Sequence, residues 1–402
     1  MKTNNKKTLR ELMDLELERL NVPDKFRKLE CFINHDQSAA EFIRFLLNDD
    51  DFRVPDENSD LYEIAQSRAR HSAVNYLLGL VFRRFGGIFQ DIHYTIDRSE
   101  HNVETEKLSK ALWLITALYH DKAYSSEYLK KADLDYRKSF KRYLLKDCYN
   151  LQELKCLDDF SIQHPQSLAY SYRMIEAYDQ YAVDYHSGQF AEDEKERKRH
   201  EECVEKRDHG ILGGVLVFND LTNKAIKQNA EPIEFLKIKA CCLAIAQHNI
   251  YKSQKAESDK NYDGYKVDGE TVDLSMLHHD SSFRIQKDTP LLLFLSLVDT
   301  FECVKKFSKK ENDSSFIQTC TVLSSILVSV SEDRIEVDFS KLKKAADQKY
   351  LSNVYAGYIA HSLEALRDWT AFRLDRIEEK EHVYELRLER ASNTSESLEE
   401  AG

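Results

Sequence analysis

Apolar residues recur at intervals of three and four along most of this chain, which is the spacing of a helix with a buried face. The pattern predicts two amphipathic helices within residues 7–48, with a break at Pro23. Four longer apolar helices are then predicted at Leu61–Phe85, Thr105–Tyr119, Ile233–Ile250 and Pro290–Phe307. Gly86 and Gly87 are expected to end the first of these, because glycine adopts the left-handed conformation that closes many helices.

The pattern changes to alternating apolar and polar positions in the segment Leu323–Phe339. A polar turn from Ser331 to Arg334 interrupts the alternation, which is typical of a β-hairpin. This is the single strand pair that the sequence predicts. Helix is expected again over Leu342–Arg390, followed by a polar, disordered tail at 391–402. The predicted fold is therefore all-α, with a small β-hairpin and extra helices towards the C-terminus.

Composition agrees with a helical chain and makes nucleic acid and membranes less favoured as partners. Only 11 glycines and 5 prolines occur in 402 residues, so turn formers are scarce. The net charge of −12 does not favour nucleic acid as a partner, although a local basic groove is compatible with it. No run approaches the ~20 apolar residues of a membrane span, so no membrane contact and a cytoplasmic location are expected. The eight cysteines form no CxxC pair and are expected to be reduced and mostly buried.

The candidate chemistry begins with His120 and Asp121, two adjacent metal-ligand types at the polar end of an apolar helix. A capped helix end would also explain this pair. Further candidate ligands each lie in a separate apolar, helix-like segment: His71, His209, His248 and Asp299. His71 could be a core histidine and His209 a solvent-facing one, whereas a buried acid such as Asp299 is rare without a partner.

The order histidine, His-Asp, histidine, histidine, aspartate resembles the HD superfamily of metal-dependent phosphohydrolases, over roughly residues 65–305. The resemblance implies a helical bundle with two divalent cations. One would be held by His71, His120, Asp121 and Asp299. Asp121 would bridge to a second cation, completed by His209 and His248, with His279 as the substitute for His248. Mixed imidazole and carboxylate ligands suit Mn, Fe, Co, Ni or Zn, and Mg is also compatible.

The resemblance implies a phosphohydrolase or phosphodiesterase that cleaves a nucleotide or small phosphate ester with a metal-bound hydroxide. Asp121, His120 and Lys122 are the expected catalytic residues, although Lys122 could equally be a surface lysine. Lys206 and Arg207 are candidates for binding substrate phosphate, with a solvated helix as the alternative. Many members of the family have a lysine three residues after the aspartate, where this chain has Tyr124. The group that protonates the leaving group is therefore unassigned.

Two other functions stay open at this point. The first is an HD-type nuclease for single-stranded nucleic acid, which would need a basic channel. The second is a non-catalytic HD module that senses a nucleotide. The expected organisation is an N-terminal helical extension at 1–60, the HD-type core at 61–310, the hairpin and C-terminal helices at 311–390, and the tail at 391–402.

Overall fold

A computed structural model of the chain describes a mainly helical protein with a small antiparallel sheet. The described residues are 6–33, 36–48, 62–97, 99–122, 209–248, 265–267, 270–272, 290–302, 319–341, 372–376 and 383–388. The predicted tail at 391–402 lies outside them. Within this part of the chain, no helix has both the length and the apolar character needed to cross a bilayer.

The helices are α1 Leu9–Arg19, α2 Glu30–Ile33, α3 Asp36–Leu47, α4 Tyr62–Phe82, α5 Ile88–Asp91, α6 Val103–Tyr119, α7 His209–Lys227, α8 Pro232–Gln247, α9 Pro290–Phe301 and α10 Thr319–Ser325. The strands are β1 Lys7–Thr8, β2 Tyr265–Val267, β3 Glu270–Val272, β4 Leu327–Val330, β5 Arg334–Asp338, β6 Phe372–Arg376 and β7 Val383–Leu388. Short 3-10 turns lie at Asp24–Phe26, Phe85–Gly87 and Ile92–Thr95.

The four long apolar helices of the sequence prediction are confirmed as α4, α6, α8 and α9. The predicted stop after α4 is also confirmed, since Gly86 and Gly87 have φ angles of 65° and 72°. Asn102 caps the start of α6 by accepting bonds from the backbone N–H groups of Glu104 and Thr105. These helices matter most for function, because they carry the candidate ligands.

The sheet is larger than the sequence predicts. Its five strands are all antiparallel and follow the order β1-β4-β5-β7-β6. The predicted hairpin is confirmed as β4 and β5, whose Ile335 and Val337 are buried with the intervening Glu336 half-exposed. The prediction of helix throughout Leu342–Arg390 is wrong at β6 and β7, which pair with each other and with β5.

Two further strand pairs correct the prediction of a single hairpin. Strand β1 occupies Lys7 and Thr8, which were expected to begin a helix, and pairs with Leu327 and Val328 of β4. Strands β2 and β3 form a separate two-stranded hairpin, which the sequence did not predict. Helix α1 begins directly after β1, where the Thr8 hydroxyl accepts a bond from Glu11 N in a capping box.

Helices α4 and α6 cross closely at Gly79. A Cβ on this residue would lie 2.2 Å from Cζ2 of the fully buried Trp113 of α6. The Trp113 indole donates to the Tyr76 carbonyl oxygen at 3.2 Å and packs edge-on against Phe294 of α9, with ring centroids 4.7 Å apart. Glycine at position 79 therefore lets α4, α6 and α9 approach one another, which brings the candidate ligands on them together.

The hydrophobic core is continuous across the predicted domain boundaries. One cluster of buried side chains includes Leu9 and Met13 of α1, Leu77 of α4, Leu295 of α9 and Leu386 of β7. Residues from the predicted segments 1–60, 61–310 and 311–390 thus share this core. The division into domains stays a prediction. A smaller cluster packs α7 and α8 against Tyr119, at the end of α6.

Candidate metal centre

Four helices carry candidate ligands. His71 lies in the middle of α4, and His120 follows the last residue of α6, with Asp121 next. Asp299 lies near the end of α9, and His248 follows the last residue of α8. All five side chains are buried. The apolar periodicity of the sequence accounts for the helices that carry these residues. The packing of α4 against α6 and α9 then brings the residues together.

The Nε2 atom of His71 is the centre of the cluster. It lies 3.0 Å from His120 Nε2, 3.2 Å from Asp121 Oδ2 and 3.1 Å from Asp299 Oδ1. His120 Nε2 lies 3.8 Å from Asp121 Oδ1 and 3.5 Å from Asp299 Oδ1. Two imidazoles and two carboxylates therefore direct atoms with lone pairs at a common point.

The other ring nitrogen of each imidazole, Nδ1, lies within hydrogen-bond distance of an acceptor. His71 Nδ1 contacts the carboxylate oxygen Oε2 of the buried Glu302. His120 Nδ1 lies 2.9 Å from the Ala117 carbonyl oxygen, and His248 Nδ1 lies 2.6 Å from that of Ile245. Because carbonyl and carboxylate oxygens only accept, each Nδ1 carries the hydrogen. A neutral ring then has its lone pair on Nε2, which is the arrangement of a metal-binding histidine with a supporting acceptor.

Hydrogen bonds from His71 alone do not account for this convergence of acceptors. Even a doubly protonated His71 could direct its single Nε2 hydrogen at one of three neighbouring acceptors. A cation accepts all of these lone pairs at once. Ligands bonded at about 2.1 Å and separated by 90° to 109° lie about 3.0–3.4 Å apart, close to the distances found here. The buried group His71, His120 and Asp121, whose ligand atoms lie within 4.8 Å of one another, could hold a metal ion.

The structure adds three residues that the sequence interpretation did not assign to the site. Arg68 Nη1 donates to Asp121 Oδ2 at 2.8 Å, and Glu302 contacts His71. Asn75 Nδ2 lies 3.2 Å from His120 Nε2. Helical spacing in the sequence could have indicated all three. Arg68 lies three residues before His71, and Asn75 lies four residues after it, so both share its face of the helix. Glu302 likewise lies three residues after Asp299.

Other predicted site residues lie elsewhere or outside the described residues. The Lys122 side chain is partly exposed, and its ammonium group contacts Asp220 Oδ2 of α7. His209 is the first residue of α7, but its side chain lies outside the described set, as do Lys206, Arg207, His279 and Tyr124. The roles predicted for all these residues stay predictions.

His248 lies beside the cluster on the α8 side. Its ring is nearly perpendicular to that of His120, with centroids 5.4 Å apart.

The helix α8 also carries two buried cysteines, Cys241 and Cys242. Burial raises the pKa of the Cys241 thiol to about 12 and that of Cys242 well above its ordinary value. These thiols stay protonated at neutral pH. Together with the buried Cys320, they confirm the prediction of buried cysteines for these positions, whereas Cys31 is exposed.

Comparisons with protein-family models, with curated proteins and with solved structures gave no match to this chain.

Proposed function

We propose that this protein is a metal-dependent hydrolase of phosphate esters that acts on a nucleotide or another small phosphate ester. The observation that carries the proposal is the convergence of His71 Nε2, His120 Nε2 and Asp299 Oδ1 within 3.0–3.5 Å of one another, beside the Asp121 carboxylate. Two imidazoles and two carboxylates would hold a divalent cation. This ligand set suits Mn, Fe, Co, Ni or Zn, and Mg is also compatible.

A second cation is part of the proposal. Asp121 would bridge the two ions, and His248 and His209 would complete the second position. The neighbouring rings of His120 and His248 support this arrangement, as does the location of His209 at the start of α7, which packs against α8.

The bound cations would supply a water of lowered pKa and positive charge for the phosphoryl oxygens. The protein residues orient these groups. Glu302 holds the His71 ring so that Nε2 faces the cluster, and the Ala117 carbonyl oxygen does the same for His120. Arg68 donates to Asp121 Oδ2 and so orients this carboxylate.

Substrate approach is expected from the side of Arg68 and Asp121. These two residues are 9% and 6% exposed, whereas His71 and His120 are 0% exposed and Asp299 is 1% exposed. A guanidinium group at this edge suits an anionic ester, because charge-assisted bonds to phosphate are strong in a partly buried site. The Lys122 ammonium group pairs with Asp220 on the α7 side.

The proposal is tested by metal analysis of the purified protein, followed by hydrolysis of bis-p-nitrophenyl phosphate with Mn²⁺, Co²⁺ or Ni²⁺. Replacing Asp121 by Asn should lower turnover at least about 100-fold with the fold retained, because a ligand is lost. The exposed Asp97→Asn variant is the control and should retain activity. Unchanged turnover in Asp121→Asn, or a protein that binds no divalent cation, would overturn the proposal.

A nucleotide panel compared with labelled single-stranded DNA then defines the substrate class. Turnover of nucleotides or small esters supports the proposal as stated. Cleavage of single-stranded DNA without nucleotide turnover would replace it with a nuclease. Metal and nucleotide binding without turnover of any ester would replace it with a sensing module.

A further inference from the structure

Asn75 is a buried amide next to the candidate ligands that the proposed chemistry does not use. It lies on α4, one turn beyond His71, and its side chain is fully buried. Its amino nitrogen Nδ2 lies 3.2 Å from His120 Nε2 and 3.5 Å from Asp299 Oδ1. The amide therefore faces two of the atoms proposed to hold the cation.

The hydrogen bond from Asn75 and a cation compete for the same lone pair. His120 Nδ1 carries the hydrogen that is directed at the Ala117 carbonyl oxygen, so a neutral His120 ring has one lone pair, on Nε2. That lone pair can accept from Asn75 Nδ2 or bind a cation, but not both. A bound cation would also face the positive, hydrogen-bearing end of the amide, which is unfavourable at this distance.

A half-turn of the amide group removes this conflict. Rotation by 180° about the terminal side-chain torsion exchanges the oxygen and the nitrogen with little change in shape. The Oδ1 atom would then face the cation as an additional oxygen ligand. At present Oδ1 is buried without a hydrogen-bond partner among the described residues, so the rotation breaks no bond to it.

Two further buried hydroxyl groups lie on the helices that carry the ligands. Thr116 lies one helical turn before His120, and Ser296 lies one turn before Asp299. Ser296 Oγ, like Asn75 Oδ1, is buried without a hydrogen-bond partner among the described residues, although buried polar groups are nearly always paired.

We propose that Asn75 is a further residue of the metal site, and that its amide turns on cation binding to present Oδ1 as a ligand. This inference rests on the proposed metal site. Amide oxygen is a hard ligand, so Asn75 would increase the affinity for Mn²⁺ or Mg²⁺ more than that for Zn²⁺.

The test measures affinity for Mn²⁺ and Zn²⁺ by competition with a chromophoric chelator. In Asn75→Leu, the Mn²⁺ affinity should fall about tenfold or more, the magnitude typical of lost metal-site contacts, with a smaller change for Zn²⁺. In Asn75→Asp, which keeps the shape and adds charge, the Mn²⁺ affinity should rise. The matched control is Gln90→Leu, which removes another amide whose buried oxygen has no partner, on α5 and away from the cluster.

Bound Co²⁺ provides a readout of ligand number. Its visible absorption should be stronger in Asn75→Leu than in the parent protein, because Co²⁺ absorbs more strongly with fewer ligands. An unchanged ratio of Mn²⁺ to Zn²⁺ affinity in Asn75→Leu would overturn the inference. If that variant does not fold, an unchanged or lower Mn²⁺ affinity in Asn75→Asp would do so. A parent protein that binds no divalent cation would overturn the proposed function itself, whereas binding that is insensitive to Asn75 overturns only this inference.

Discussion

The Nε2 atoms of His71 and His120 lie 3.0 Å apart, and the Nδ1 atom of each ring is already directed at an oxygen acceptor. Two neutral rings in this arrangement direct lone pairs at each other, which is unfavourable without a proton or a cation between them. A cation at this point would bind both lone pairs, whereas Asn75 Nδ2 can donate only to that of His120. The metal chemistry proposed for the protein follows from this relationship.

Replacing Glu302 by Gln should weaken metal binding about 10- to 100-fold, because a supporting acceptor orients the histidine and increases its basicity. Chelator competition with Mn²⁺ or Zn²⁺ measures the change. The exposed Glu100→Gln variant is the control and should bind like the parent protein. Equal affinities for Glu302→Gln and the parent would mean that the contact with His71 does not support the ligand.

Replacing Gly79 by Ala should destabilise the fold by about 1–3 kcal/mol or more, the usual cost of overpacking a core. The added Cβ would lie 2.2 Å from Trp113 Cζ2, so α4 and α6 would have to separate. Urea unfolding monitored by tryptophan fluorescence measures the loss.

Gly87→Ala is the comparison for this prediction. Gly87 has φ +72°, and no atom lies within 4 Å of an added Cβ. Alanine at this position should therefore destabilise the fold through backbone strain alone, by about 1–2 kcal/mol. A weakened metal affinity is also expected in Gly79→Ala and not in Gly87→Ala. The interpretation fails if both variants bind metal like the parent protein.

Thiol labelling of the native protein should separate the cysteines by burial. Cys31 is exposed and should react with iodoacetamide at pH 8. Burial raises the pKa of Cys241 and of Cys320 to about 12, so these thiols are protonated as well as inaccessible at that pH. Peptide mass spectrometry should find them modified only after unfolding in denaturant. Rapid native labelling of Cys241 would contradict the packing of α8 against α6.

The capping box at the start of α1 should give a pH-dependent contribution to stability. The backbone N–H of Thr8, 2.7 Å from Glu11 Oε2, and the Thr8 side chain lower the pKa of the Glu11 carboxyl group. Because the folded-state pKa is lowered, the contribution is present above the ordinary value of 4.5 and is lost as the pH falls through the lower folded value.

Glu11→Ala should therefore reduce the free energy of unfolding by about 0.5–1 kcal/mol at pH 7, with a smaller difference below pH 4. Urea unfolding across this pH range measures both values. Glu18→Ala, at an exposed position on the same helix, is the control for the change in side chain. A difference that does not decrease in acid would show that the Glu11 carboxylate does not support the cap.

The sequence by itself determined the helices that carry the site and most of the buried candidate ligands. Periodicity placed α4, α6, α8 and α9, because a long apolar stripe has one favourable conformation. Through the family resemblance, the order of His71, His120, Asp121, His209, His248 and Asp299 predicted a metal site, and the structure brings His71, His120, Asp121 and Asp299 together.

Only the tertiary structure decided which atoms meet and which segments become strands. Strand β1 has two residues, and it exists because β4 lies beside it. Strands β6 and β7 contain charged residues that are compatible with helix, and pairing with β5 overrides that preference. Arg68, Asn75 and Glu302 lie beside the candidate ligands because α4, α6 and α9 converge. Spacing along the sequence determines the helix face on which a side chain lies. Which residue that side chain contacts depends on how helices distant in the sequence pack together.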